Sequence, residues 1–166
     1  MLEDTIRGIR NLFNNAKDLQ GVIAKYMEEH DSMRKEIEKF SAQAVERLKD
    51  SLVEKAKDIN GLKVVKAVLP INAEQAKNLV FKVREAIPQH LVCVVGSTAN
   101  DKPLLSIMFS DDVVSEHGLN AGQIIREAAK LIQGGGGGQP HYASAGGKNI
   151  DGISVAVDKA VELACQ

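Results

Sequence analysis

The chain is poor in cysteine. Cys93 sits in the apolar run Leu91-Val92-Cys93-Val94-Val95, and Cys165 stands at the extreme C-terminus. Two such residues make no disulfide framework, and a buried, reduced thiol is the expectation for Cys93. No apolar run approaches the roughly 20 residues needed to span a bilayer. No charged-then-apolar signal segment opens the chain, which favours the cytoplasm and no membrane partner. An excess of either charge is missing too. The formal net charge is −1, with 11 basic and 12 acidic residues up to Asn60 and 10 of each after it. That excludes a simple polycation that coats nucleic acid. Any such contact must come from the local placement of a few Lys and Arg. With 44% hydrophobic and 26% charged residues, the 166-residue chain reads as one ordinary domain plus an extension.

Proline is absent from the first sixty residues, which are charged and rich in helix formers. Apolar or semi-apolar residues recur there at spacings of three and four: Ile9, Leu12, Ala16, Leu19, Ile23, Tyr26, His30, Met33, Ile37, Phe40 and Ala44. This is a heptad-type stripe. Past Ala44 it shifts to Leu48, Leu52, Ala56 and Ile59, close to a stutter that relaxes a supercoil. Asn14-Asn15 and Asp18 offer cap chemistry, so the expectation is a short helix, a break near Asn14 to Lys17, then one long helix. The stripe serves either an amphipathic helical hairpin packed on its own chain or a coiled-coil-like pairing of two chains. In the second case Leu19, Ile23, Tyr26, Met33, Ile37 and Phe40 are the dimerisation residues. Met1 runs directly into helix, so an excised fragment with an added or fortuitous start is expected.

Asn60-Gly61 suits a left-handed helix C-cap and marks the expected boundary between a helical subdomain, 1–60, and a globular one, 61–166. Val64 to Leu69 reads as a strand closed by Pro70, and Ala73 to Ala86 has helical period and stops before Pro88. Leu91 to Ser97 suits a buried strand, and the Asn100-Asp101-Lys102-Pro103 turn joins it to a strand from Leu104 to Phe109 in a hairpin. Ser110-Asp111-Asp112 caps a short helical turn, and Asn120 caps a helix running to Ile132. His141 to Ala145 runs extended, and Asp151 to Ala164 is a last helix. Strands alternating with helices make this a compact mixed α/β (α+β / α/β) unit behind a long helical segment.

Seven of the fourteen glycines fall between Gly134 and Gly147, five of them consecutive. Such a run is costly in conformational entropy, and is expected where side chains must be absent because a ligand or another backbone comes close. A flexible linker is the alternative, but the run is not at a domain boundary. It therefore reads as a close-approach loop. Phosphate-loop readings fail. A dinucleotide fingerprint must follow a strand and open a helix, whereas this run follows a helix. A nucleotide P-loop ending at Gly147-Lys148 would need glycine at Tyr142 and Ser or Thr at Asn149.

Catalytic constellations are missing as well. His30, His90, His117 and His141 have no metal-ligand spacing to one another or to the cysteines. Asp111 and Asp112 are sequence neighbours, which suits capping better than paired acid–base work. The chain reads as a binding module with no catalytic residue, metal or cofactor of its own.

The run Gln133 to Gly147, QGGGGGQPHYASAGG, resembles the glycine-rich signature of the C-terminal domain of alanyl-tRNA synthetases, a branch of the DHH-associated domain family. That signature reads approximately GGKGGGRPDMAQAGG. Its triple glycine, Pro140, Ala143, Ala145, Gly146 and Gly147 are in register, and the resemblance covers essentially the whole chain. Gly135, Gln139 and His141 stand where Lys, Arg and Asp are common. The family's zinc-binding editing motif, its class II aminoacylation core and the metal motif of related DHH phosphodiesterases are absent. The resemblance implies a region that binds tRNA at the outer elbow, links aminoacylation to editing and can dimerise. ATP and zinc would belong to parent domains outside this chain.

Within that expectation, Gly136, Gly137, Gly138, Gly146 and Gly147 form a wall of bare backbone for a sugar-phosphate or a splayed base. Gln139 and His141 hydrogen-bond, Tyr142 or His141 stacks, and Lys148, Arg126 and Lys130 contact phosphates. For Ala143 and Ala145, core packing is the better reading. The two lost cationic positions motivate a different function, a pure oligomerisation module. A regulatory small-ligand domain in the glycine cleft is a third.

Overall fold

A computed structural model describes all residues, 1–166. The chain divides into two compact units, Met1–Ala42 and Gln43–Gln166.

The first unit holds helix α1 (Leu2–Leu12) and the greater part of helix α2 (Leu19–Glu54). The expected break lies between them. Asn14 (φ 54°) and Asn15 (φ 58°) take the left-handed conformation, which asparagine tolerates better than most side chains. Asp18 then starts α2 by accepting the Gly21 amide at 3.0 Å through Oδ1. Phe13 and Tyr26 meet edge-on, their ring centroids 5.4 Å apart. No residue of this unit is buried.

The second unit begins with the last turns of α2. They bury Val45 and Leu52, which is why the division falls at Gln43 and not at Asn60-Gly61. The helix stops at Glu54, and Asn60-Gly61 is not its cap. Both residues have positive φ, 55° and 81°, and form the two-residue turn between strands β1 (Lys57–Ile59) and β2 (Leu62–Leu69). A tight antiparallel hairpin needs that pair of left-handed residues. Ile59, the last member of the helical stripe in the sequence, is therefore in a strand.

Helix α3 (Ala73–Ala86) follows, capped by Asn72, and then strands β3 (Leu91–Ser97) and β4 (Leu104–Phe109). Helices α4 (Asp111–His117) and α5 (Ala121–Ala129) come next, α5 capped by Asn120 and continued by a 3-10 turn to Ile132. Strands β5 (Gly135–Gly138) and β6 (Tyr142–Gly146) and helix α6 (Ile153–Ala164) complete the unit. The glycine run is thus not a loop but a strand.

The six strands form one mixed sheet in the order β1-β2-β3-β4-β6-β5. Only β2 and β3 are parallel, joined through α3; the other pairs are antiparallel. Period-two alternation sorts β3 between two cores. Val92 and Val94 join α5 and α6 on one face, with Leu105, Ile107, Ala143 and Ala145. Leu91, Cys93 and Val95 join α3 and the end of α2 on the other. Gly96 lets α6 close on β3, since a Cβ there would lie 2.8 Å from Ile153. Burial pushes the Cys93 thiol up to about 12.

Candidate nucleic-acid interface

The site starts from strand β5, at one edge of the sheet. Its glycines pair with β6 as Gly135↔Gly146, Gly136↔Ala145, Gly137↔Ser144 and Gly138↔Ala143. Their requirements alternate. A Cβ on Gly134, Gly136 or Gly138 would fall on the carbonyl oxygens of Gly146, Ser144 and Tyr142 respectively. A Cβ on Gly135 or Gly146 would meet nothing within 4 Å, and one on Gly137 only the Arg126 guanidinium at 3.9 Å. The close approach inferred from the sequence is therefore made first by the chain's own backbone. Gly147 and Gly152 repeat the pattern against the carbonyls of Ile132 and Leu131, and Gly122 packs on that of Gly138.

What remains open is a bare, mostly exposed strand edge with cations beside it. Arg126, exposed on α5, extends over Gly137 and makes no ion pair. At one end of the strand the Gln139 amide donates to the Tyr142 carbonyl at 2.8 Å, leaving the Gln139 side chain exposed; the half-buried His141 follows. At the other end Gly146 and Gly147 lead to Lys148. Its amide donates to Ile132 at 2.8 Å, while its ammonium is exposed and has no carboxylate partner. Four residues of strand separate these ends by about 10 Å, of the order of a nucleotide or two of backbone.

Two expected contacts sit differently. Lys130 bonds Glu127 at 2.7 Å, so its charge is already partnered. Tyr142 packs its ring on Phe81, centroids 5.3 Å apart, against the core on the α3 face. It is thereby held among side chains instead of standing free as a stacking platform. Ala143 and Ala145 are core, as expected. No three His, Cys, Asp or Glu side chains gather into a metal-holding group.

Around the Lys148 end, a cleft of about 480 Å³ is lined by Gln133, Gly134, Gly146, Gly147 and Lys148 together with Ile71 to Ala73, Ser97, Ala99, Asn100 and Lys102 to Leu104. Sequence reasoning missed Ser97 and Lys102. They come from segments distant in the chain, and only the Asn100-Asp101-Lys102-Pro103 turn gave a local signal.

At the first residue of α4, Arg84 pairs with Asp111 at 2.6 Å. Asp112 accepts the His90 amide at 2.8 Å. The adjacent carboxylates thus bind the start of α4 to its neighbours.

Comparison with known proteins fits this geometry. The DHHA1 domain model matches residues 60–166. The alanine–tRNA ligase of Bacteroides thetaiotaomicron is 47% identical over 163 residues, 98% of this chain but 19% of that protein. That of Porphyromonas gingivalis is 36% identical over 95% of this chain and 18% of its own length. The chain thus spans about a fifth of the length of the curated relatives it matches. Among solved structures, the C-Ala domain of Aquifex aeolicus alanyl-tRNA synthetase matches with a TM-score of 0.59 and 27% identity, over 67% of this chain and 98% of that one. A DHH-domain protein from a family of ribosomal proteins shares the fold at a TM-score of 0.55 and 10% identity, covering 94% of this chain and 35% of that one. With a mixed sheet and a glycine-rich strand over the matched span, the chain belongs to the DHHA1 domain family.

Proposed function

We propose that this chain is the C-terminal region of an alanine–tRNA ligase and that it docks on the outer elbow of tRNA, supporting aminoacylation and editing carried out by other domains. The observation that carries this reading is strand β5: an exposed edge without side chains, with the unpaired Arg126 across it and the unpaired Lys148 at its end. Bare backbone admits a sugar-phosphate closely, and two cations supply phosphate contacts. Gln139 and His141, beside the turn into β6, add hydrogen-bonding groups. Residues 61–166 carry this binding, and the chain performs no chemistry itself; ATP and zinc act in parent domains. Its setting is the cytoplasm, where tRNA is charged, and no helix is long and apolar enough to cross a membrane.

The test is a titration of labelled alanine tRNA at two salt concentrations, with duplex DNA as competitor. Selective binding that weakens with salt, and weakens further in Arg126→Ala and Lys148→Ala, supports the reading. Equal affinity for duplex DNA, or none at tens of micromolar, sinks it.

A second reading has its own observation. On α2, Tyr26, Met33, Ile37 and Phe40 are 57%, 56%, 68% and 60% exposed, at heptad spacing. A second copy of the same stripe is the self-complementary partner such spacing fits. In this reading the helical unit is an oligomerisation module with or without tRNA binding, and sedimentation decides it.

A further inference from the structure

The cleft at the Lys148 end of β5 has a build that the strand edge does not share. Its volume, about 480 Å³, is that of a small-molecule site. Ile71, Pro103 and Leu104 make an apolar wall. Ser97 ends β3 in this cleft, 1% exposed, and its hydroxyl has no hydrogen-bond partner. A buried hydroxyl without a partner is destabilising, and a ligand accepting or donating there would offset that cost. The cationic side is formed by Lys102 and Lys148, which come from different loops and have no carboxylate within ion-pair distance. Asn72 and Ala73, the cap and first residue of α3, bring the positive end of a 14-residue helix to the same space. Asn100 (φ 59°) and Gln133 (φ 51°) line it in left-handed conformations.

We propose that this cleft is a mononucleotide site. The apolar wall takes the base, Ser97 Oγ hydrogen-bonds it, and Lys102, Lys148 and the α3 amide end hold its phosphate. A free nucleotide and an unstacked nucleotide at an RNA end share this chemistry. The site shares Lys148 with tRNA docking on the strand edge but is distinguished from it by Ser97, Lys102 and the start of α3, which play no part there.

The experiment is an amide NMR titration of the whole chain with AMP and UMP, with adenosine and inorganic phosphate as part-ligands and chloride at matched ionic strength. A mononucleotide is expected to give saturable shifts at Ala73, Ser97 and Lys148. Each part-ligand should bind at least about tenfold more weakly, since each lacks half of the contacts. Lys102→Ala should weaken AMP binding by about tenfold or more, as expected for a lost charge-assisted contact, and Ser97→Ala severalfold. Arg126→Ala, on the strand edge, should leave these shifts in place even if it abolishes tRNA binding. A 5′-phosphorylated trinucleotide identifies the source. If it shifts the same amides, the site takes RNA ends; if only the mononucleotides do, it takes free nucleotide. Shifts matching those of chloride, or AMP shifts unchanged in both Lys102→Ala and Ser97→Ala, overturn the proposal.

Discussion

A side chain at Gly136 would collide with the carbonyl oxygen of Ser144 on the paired strand, whereas one at Gly135 would point into open space. Neighbouring glycines in one strand thus answer to different constraints. Gly136→Ala must displace β6 backbone and should lower stability by about 1–3 kcal/mol, as overpacking generally does. Gly135→Ala should be neutral or gain a few tenths, through a less flexible unfolded chain. Urea midpoints of the two variants check this; equal midpoints would mean β5 is not seated against β6 as described.

The same open position allows the cationic pattern of the resembled signature to be restored. Gly135→Lys with Gln139→Arg should tighten tRNA binding and steepen its salt dependence by about 0.9 in log–log slope for each additional phosphate neutralised. Filter binding across a salt series reads the slope. An unchanged slope would place tRNA away from β5.

Glu46, in the last turns of α2, accepts from Lys49 at 2.6 Å and Lys82 at 2.8 Å. Hydrogen bonds from Lys49 and then Lys82 hold its carboxyl down to about 2. The folded value lies below the ordinary 4.5, so the contribution is complete above that pH and is lost as pH falls toward 2. The site is solvent-exposed, and the effect should be modest. Melting temperature should fall between pH 5 and 3 more in the parent chain than in Glu46→Gln. Parallel curves would show the pairs contribute nothing.

If α2 pairs with a second copy, Ile37→Glu with Phe40→Glu should shift sedimentation to the monomer and leave the melting of the sheet unit unchanged. A parent chain that is already monomeric at high micromolar concentration removes the oligomerisation reading.

Most helices and inner strands are legible in the sequence because apolar spacing exposes them: α3, β3 and β4 lie where the periodicities put them. Asn60-Gly61 misleads because the same dipeptide ends helices and turns hairpins, and Ala56 and Ile59 keep the helical spacing. The glycine run cannot be read as a strand, since without side chains it carries no period. Tyr142 is an ambiguous residue type, and its place is settled by alternation with Ala143: one faces Phe81, the other the α5 core. The cleft draws Ser97, Lys102 and Lys148 from separate segments, a convergence that no local pattern announces.

Strand register is normally set by which side chains must face inward, and a slip of one residue turns a strand inside out. Between Gly134 and Gly138 that information is missing, because every residue is the same. The alignment must therefore be fixed from outside the run. The Gln139 amide on Tyr142 clamps one end, and the Gly147 amide on Pro103 (3.0 Å) with the Lys148 amide on Ile132 clamps the other. Loosening either clamp would free the strand to slide along β6 in steps that look identical to its own sequence.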